Sequence, residues 1–126
     1  MILGLGVDVI EIDRIGAVIN RHGGSFLKHV FTDSERAAAP DNAAAAAAYY
    51  AGRWSAKEAV AKVLGTGIGE RCAWKDIEIT RHPSGRPLVT LTGTGAATAA
   101  ELGIERLHLS ISHERKLACA SAVGEK

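Results

Sequence analysis

The stretch GLGVDVIEIDRI, Gly4 to Ile15, passes from a strand-like pattern straight into the start of a helix. From Ile2 to Ile12 the residues are mostly apolar and rich in β-branched side chains, which is typical of a strand. Asp13 stands where a helix N-cap is expected, and Gly23 and Gly24 stand where that helix is expected to stop. The sequence therefore predicts a first strand that feeds a first helix.

Asp8 is a charged residue in the middle of this apolar strand. Strand alternation puts Gly4 and Gly6 on the same face as Asp8, so the pattern leaves space beside the carboxylate. Glycine in a strand often marks a place where a ligand or another backbone approaches closely. A carboxylate in such a setting needs a cation or several N–H donors. A structural ion pair, a backbone cap and a metal site all meet that need, and the strand alone does not choose between them.

A long helix is predicted over Ala43 to Leu64. Its apolar arc predicts a core-facing side, and Glu58 and Lys62 project together from the opposite side, one turn apart. An exposed i,i+4 ion pair is the simplest interpretation of these two residues. Arg53 and Lys57 border the apolar arc, and we expect both to be solvated. Carboxylates on two elements together with several cations also suit Mg²⁺ that holds phosphate oxygens.

The rest of the chain alternates strands and helices. A capping-box pattern over 32–35 predicts a short helix, and a further helix is predicted over 96–102. Together these signals predict an α+β fold in which an antiparallel sheet of hairpins packs against the long central helix, within a single domain over 1–126. Four further strands are predicted, over residues 76–82, 88–92, 106–112 and 117–123.

Composition and charge argue against nucleic acid and membranes as binding partners. The formal net charge of +1 offers no overall basic surface for nucleic acid. No window approaches the ~20 consecutive apolar residues of a membrane span. The two cysteines lack metal-ligand spacing and the N-terminus lacks a signal-peptide pattern, so we expect a cytoplasmic protein with no nucleic-acid or membrane partner.

The first predicted helix carries a cationic stripe. Arg14, Val18 and Arg21 fall on one side of it, with an apolar residue between the two arginines. Such a stripe is either a solvated face or a docking surface for an acidic helix, and the residues themselves leave both alternatives open.

Five blocks of the sequence resemble one known family. They resemble the holo-acyl-carrier-protein synthases, the short 4′-phosphopantetheinyl transferases of bacterial fatty-acid synthesis. The combination of GxD with WSAKEAxxK is the most specific part, and the resemblance implies the 4′-phosphopantetheinyl transferase fold. The blocks are GLGVDVIEIDRI (4–15), AGRWSAKEAVAKVLGTGIG (51–69), DIEI (76–79), GRP (85–87) and LHLSISH (107–113).

The resemblance implies an activity and a set of catalytic residues. The family moves the phosphopantetheine arm of coenzyme A onto a serine of apo-acyl carrier protein and releases adenosine 3′,5′-bisphosphate. By resemblance, Asp8 and Glu58 hold Mg²⁺ against the pyrophosphate, and Lys62 binds near the phosphates. Glu58, directly or through a water on the metal, is our candidate to take the proton of the serine hydroxyl.

The resemblance also implies binding residues and an assembly. Arg53 and His113 match positions on the 3′-phosphate side of coenzyme A, and Gly65 belongs to a loop that lines the adenosine pocket. Arg14 and Arg21 match the basic residues that meet the acidic recognition helix of the carrier protein. The family forms homotrimers with active sites at subunit interfaces, and the same assembly is implied here.

Two alternative functions remain at the level of sequence. A Mg²⁺-dependent hydrolase would cut the pyrophosphate of coenzyme A or of a nucleotide with water. A non-catalytic coenzyme A-binding module would need neither carboxylate, so Asp8 and Glu58 together with Lys62 argue against it.

Overall fold

Helices and strands follow each other along the chain in the order that the sequence predicts, with one helix added. The computed structural model describes residues 1–126. The helices are α1 (Ile12–His22), α2 (Gly24–Val30), α3 (Asp33–Ala37), α4 (Ala43–Val63) and α5 (Gly93–Leu102). The strands are β1 (Ile2–Glu11), β2 (Ile77–Arg81), β3 (Pro87–Leu91), β4 (Arg106–His113) and β5 (Leu117–Glu125), with a 3₁₀ turn over Trp74–Asp76 before β2.

The strands form two antiparallel sheets. β5 lies at the centre of a three-stranded sheet, with β1 on one side and β4 on the other, and Asp8 lies opposite Ala120. β2 and β3 form a separate two-stranded hairpin. The prediction of an α+β fold with antiparallel hairpins against a long helix is confirmed, although the hairpins are divided between two sheets.

Helix α4 packs closely on β1 because glycines face it. A Cβ atom added to Gly6 would lie only 1.9 Å from the carbonyl oxygen of Ala59, and one added to Gly4 would lie 2.4 Å from the carbonyl oxygen of Val63. No side chain fits at either position without displacing the helix. The space beside Asp8 that the strand pattern left open is therefore filled by the backbone of α4.

Two helix starts agree with their sequence signals. Asn42 caps α4 by accepting a hydrogen bond from the Ala45 N–H at 3.0 Å. Thr32 and Glu35 form a reciprocal capping box at the start of α3. α4 is the longest helix, and neither it nor any other helix is long and apolar enough to cross a membrane.

The first helix differs from its prediction at its start, and it ends at Gly23 as predicted. Asp13 is not the N-cap: the N-cap is Glu11, two residues earlier, and its side chain makes no capping hydrogen bond. β1 thus continues into α1 without a connecting loop. At the other end, Gly23 with φ +53° turns the chain, and α2 starts at the next residue, which the glycine pair did not predict.

Two basic residues of α4 are buried. Arg53 is 8% exposed and Lys57 is fully buried. The Lys57 Nζ atom lies 2.7 Å from Glu35 Oε1, and it donates hydrogen bonds to the carbonyls of Trp74 and Ile77 at 3.1 and 2.5 Å. The expectation that Arg53 and Lys57 are solvated is wrong. The Lys57 ammonium can be buried because Glu35 of α3 and the two carbonyls satisfy it inside the protein.

Candidate active site

Asp8 and Lys62 meet where β1 lies on α4. The Lys62 ammonium donates to the Val7 carbonyl at 2.8 Å and lies 3.3 Å from Asp8 Oδ1. The Asp8 side chain is only 13% exposed, whereas that of Lys62 is 49% exposed. The other carboxylate oxygen, Asp8 Oδ2, is buried and has no hydrogen-bond partner. The ion pair thus satisfies one side of the carboxylate and leaves the other free to bind a cation.

Glu58 lies one turn before Lys62 on α4, close enough to Asp8 for their charges to interact. Burial raises the pKa of Glu58, the negative charge of Asp8 raises it further, and the positive charge of Lys62 acts in the opposite direction. No Glu58–Lys62 ion pair forms, because the ammonium turns to Asp8 instead. The structure therefore brings the three predicted catalytic residues into one cluster, which we call the carboxylate cluster.

The carboxylate cluster fits a hard divalent cation. A buried, unpartnered Asp8 Oδ2 and a Glu58 carboxyl whose pKa is raised by burial and by Asp8 would both be stabilised by a cation between them. No group of three or more His, Cys, Asp or Glu side chains is arranged to hold a metal. The protein would thus supply two oxygen ligands, and water or phosphate would supply the others, which is how Mg²⁺ is commonly bound.

A cavity of about 420 Å³ opens on a different side of α4. Tyr49 and Arg53 line it from α4, together with Arg81 at the end of β2 and His113 at the end of β4, and we call it the arginine cavity. Residue 53 is five positions before Glu58, so the two side chains leave the helix about 140° apart. The arginine cavity and the carboxylate cluster therefore face different directions.

Arg53 is the buried cation of the arginine cavity. Its guanidinium lies over the Tyr49 ring, 4.3 Å from the ring centroid, and its Nε is buried without a hydrogen-bond partner. Burial lowers the pKa of Arg53, and the nearby positive charge of Arg81 lowers it further. Neither arginine forms an ion pair. Two cations without a carboxylate partner would be stabilised by an anion in this cavity.

The other residues implied by the resemblance lie at different places. His113 is exposed and lines the arginine cavity with Arg53. Gly65 does not line it: it follows α4 with φ +74°, and its N–H donates to the Lys62 carbonyl at 3.0 Å. In the sequence, Gly65 thus lies nearer to Lys62 of the carboxylate cluster than to Arg53 of the cavity.

Arg14 and Arg21 lie on the outer side of α1. Both are exposed and neither forms an ion pair, while Ile12 and Ile15 of the same helix are buried. The cationic stripe predicted from the sequence is therefore present and free of internal partners.

Comparisons with known proteins identify the family and the fold of the chain. Residues 4–120 match the family model of the 4′-phosphopantetheinyl transferase superfamily. The chain belongs to this superfamily. A holo-[acyl-carrier-protein] synthase of Desulforudis audaxviator is 48% identical over 98% of this chain and 92% of its own length.

Solved structures give the same result for the fold. The crystal structure of the Neisseria meningitidis holo-[acyl-carrier-protein] synthase matches with a TM-score of 0.91 at 31% identity, over all of both chains. The Helicobacter pylori synthase, in complex with coenzyme A, matches with a TM-score of 0.85 at 31% identity, over 96% of this chain and 99% of that one. The family and the fold inferred from the sequence blocks are confirmed.

Two residues of the arginine cavity were not among the predicted site residues. Arg81 ends β2 just before the hairpin loop, and Tyr49 lies in the alanine-rich first half of α4. Neither stands in a motif whose spacing indicates a ligand. The one available signal was helical spacing, since Tyr49 lies one turn before Arg53 and shares its side of α4.

Proposed function

We propose that this chain transfers the 4′-phosphopantetheine group of coenzyme A to a serine of an apo-acyl carrier protein, giving holo-acyl carrier protein and adenosine 3′,5′-bisphosphate. The observation that carries the proposal is the unpartnered Asp8 Oδ2 beside Glu58 and Lys62 in a chain of this superfamily. Relatives named holo-[acyl-carrier-protein] synthase, one of them solved with coenzyme A, support it. A single transferase domain over 1–126 and a cytoplasmic location belong to the same proposal.

Asp8 and Glu58 are the residues that would hold Mg²⁺, which when bound neutralises negative charge on the pyrophosphate. Glu58 takes the proton of the carrier-protein serine as its hydroxyl oxygen attacks the β-phosphorus. Lys62, half exposed on a flexible stem, stabilises the charge that builds on the leaving 3′,5′-bisphosphate as the phosphorus–oxygen bond breaks.

The arginine cavity takes the 3′-phosphate of coenzyme A. Arg53 brings a buried guanidinium with an unpartnered Nε, Arg81 brings a second positive charge, and His113 lies at the rim. Arginine matches phosphate oxygens in geometry as well as in charge. For Gly65, just after α4, we keep the proposal that its loop lines the adenosine pocket.

The exposed stripe of α1 receives the carrier protein. Arg14 and Arg21 have no ion-pair partner within the chain, so an acidic helix can pair with both without breaking an existing contact. This is the docking alternative of the two that the sequence left open.

The assembly that we propose is a homotrimer with active sites at subunit interfaces. The outward face of β1 exposes Leu5, Val7 and Val9 at 70%, 64% and 61%, which is typical of a face that a partner covers. Because the carboxylate cluster and the arginine cavity face different sides of α4, one coenzyme A molecule can join the cluster of one subunit to the cavity of the next. The number of three subunits comes from the family resemblance.

The nucleotide product distinguishes the proposed function from its alternatives. We expect the protein to convert coenzyme A into adenosine 3′,5′-bisphosphate only when an apo-acyl carrier protein and Mg²⁺ are both present, as measured by chromatography. Release of the bisphosphate without carrier protein would identify a hydrolase. Binding of coenzyme A without any release, with each of several bacterial carrier proteins, would identify a non-catalytic binding module.

A further inference from the structure

Tyr49 connects the buried arginine of the cavity to helix α3. The face of its ring carries the Arg53 guanidinium, 4.3 Å from the centroid. Its hydroxyl donates a hydrogen bond to the backbone carbonyl of Glu35 at 2.7 Å. A rotation of the Tyr49 side chain would break the hydrogen bond and remove the surface on which the guanidinium lies.

Glu35 is a rigid anchor because its side chain is fully buried and held on both oxygens. Oε1 lies 2.7 Å from the Lys57 ammonium and accepts a hydrogen bond from the Thr32 N–H at 2.9 Å. Oε2 accepts one from the Ile79 N–H at 2.7 Å. Glu35 thus holds Tyr49 through its backbone and β2 through its carboxylate.

Both arginines of the cavity are therefore connected to Glu35. Arg53 is connected to Glu35 through the Tyr49 ring, and Arg81 is connected to it through β2, two residues after Ile79. The shared anchor keeps the two positive charges together, although they repel each other. A fixed guanidinium also loses less entropy than a mobile one when it binds an anion.

We propose that Tyr49 is a positioning residue that, anchored on Glu35, holds the Arg53 guanidinium beside Arg81 for a phosphate group. This inference rests on the proposed function, in which that group is the 3′-phosphate of coenzyme A. Tyr49 itself contributes no charge to the phosphate and acts only through Arg53.

The test compares the affinities for coenzyme A and for 3′-dephospho-coenzyme A, measured by isothermal titration calorimetry. The wild-type protein is expected to prefer coenzyme A, because the 3′-phosphate meets the two arginines of the cavity. Tyr49→Leu is expected to reduce that preference about tenfold by weakening the binding of coenzyme A alone, because the stacked ring is lost. Tyr49→Phe keeps the ring but loses the hydroxyl, so its preference falls between the two, about threefold below wild type.

Two controls separate positioning from general stability. Phe26→Leu removes an aromatic ring elsewhere in the core, at a half-buried side chain of α2 that packs on Phe31 with the ring centroids 6.1 Å apart and does not line the cavity. It is expected to lower the thermal midpoint without changing the preference. In an Arg53→Lys background, Tyr49→Leu is expected to change the preference less than about twofold, since no stacked guanidinium remains to be positioned.

A Tyr49→Leu protein with the full wild-type preference would overturn the inference. So would an equal loss of preference in Phe26→Leu, because the effect would then be one of stability. A wild-type protein without any preference for the 3′-phosphate would overturn the assignment of the arginine cavity and the inference with it. A preference that depends on Tyr49 in a protein that transfers nothing to carrier proteins would support the inference and reject the proposed transferase function.

Discussion

Asp8 is held by a cation on one side and left without a partner on the other. Lys62 and the tight packing of α4 fix its position, and the buried Oδ2 is the atom that still needs a positive charge. Glu58 adds a second carboxyl whose pKa is raised, first by burial and then by Asp8. The site thus consists of two neighbouring carboxylates whose like charges destabilise each other until a cation binds between them.

Glu58→Gln tests the proposed proton acceptor. The amide has nearly the same shape but cannot take a proton, so turnover is expected to fall at least about 100-fold while coenzyme A still binds. Steady-state kinetics and calorimetry measure the two effects separately. Glu70→Gln, at an exposed glutamate beyond the end of α4, is the matched control and keeps wild-type turnover. Unimpaired turnover in Glu58→Gln would reject the assignment.

Gly6→Ala tests the close approach of α4 to β1. The added methyl group would lie 1.9 Å from the Ala59 carbonyl oxygen, so we expect a loss of about 3 kcal/mol or more in the free energy of unfolding. Urea titration measures it. Gly24→Ala is the control, because nothing lies within 4 Å of its added Cβ atom. Equal stabilities of the two variants would contradict the packing described here.

The residues of the site were predictable to different degrees. Asp8, Glu58 and Lys62 stand at strand and helix positions whose periodicity gives their direction, so their convergence could be proposed once the family blocks were noticed. Burial of Arg53 and Lys57 could not be predicted, because it depends on Glu35 and Tyr49 through contacts made only in the tertiary fold. Sequence periodicity states which side a residue faces and not what covers that side.

Helix α1 presents its arginines because its isoleucines are buried against the rest of the protein. Arg14→Glu replaces an attraction to an acidic helix by a repulsion, so we expect the KM for carrier protein to rise roughly tenfold and the KM for coenzyme A to stay unchanged. High salt should weaken carrier binding in the wild type in the same way. Arg71→Glu, an exposed arginine outside α1, is the control. Equal rises in both KM values would argue against docking on α1.

Helix α5 is held at its start by a single carboxylate. Asp76 Oδ2 accepts hydrogen bonds from the N–H groups of Ala73 and Gly95, both at 3.0 Å, and from the Thr94 hydroxyl at 2.7 Å. Burial acts to raise the pKa of Asp76, but these three hydrogen bonds outweigh it and the pKa is lowered. The ionised carboxylate is therefore more stable in the folded state than in the unfolded state, and folding is favoured wherever it is ionised.

Asp76→Asn tests this contact through its pH dependence. Above the unfolded-state pKa of about 4 the wild type is expected to unfold at a higher temperature than the variant, by roughly 3–5 °C. The advantage is lost as the pH falls through the lower folded-state pKa, because the carboxyl is then protonated in both states. Thermal unfolding by circular dichroism at several pH values measures it. Asp41→Asn, at an exposed residue, is the control. A difference in unfolding temperature between Asp76→Asn and the wild type that persists unchanged at the lowest pH would contradict the interpretation.

At the level of elements, the helix-cap and hairpin signals were reliable, whereas the glycine pair after α1 was misleading. The capped α4 and the hairpin of β2 and β3 were predicted to within two residues at each end. α2 was missed because a glycine pair normally ends a helix, and here Gly23 ends one helix and lets the next begin. The division of strands into two sheets was also missed, since local pairing signals do not say which hairpins join.

The whole molecule has an apolar sheet face that the single chain leaves uncovered. Val7→Asp places a charge on this face, where Val7 is 64% exposed, and is expected to dissociate an assembly of about three times 13.2 kDa into single chains. Sedimentation velocity measures the masses. Turnover should fall with the assembly, because the proposed active site lies between subunits. Leu102→Asp, at an exposed leucine of α5, is the control, and a wild type that sediments as a single chain would refute the proposed trimer.

The central claim is that the carboxylate cluster of this fold transfers phosphopantetheine to a carrier protein. The most direct measurement is the intact mass of an apo-acyl carrier protein after incubation with the wild-type protein, coenzyme A and Mg²⁺. We expect a gain of one phosphopantetheine group per carrier, located on a serine and abolished by a chelator or by Glu58→Gln. An unchanged carrier mass, across several bacterial carrier proteins, would contradict it.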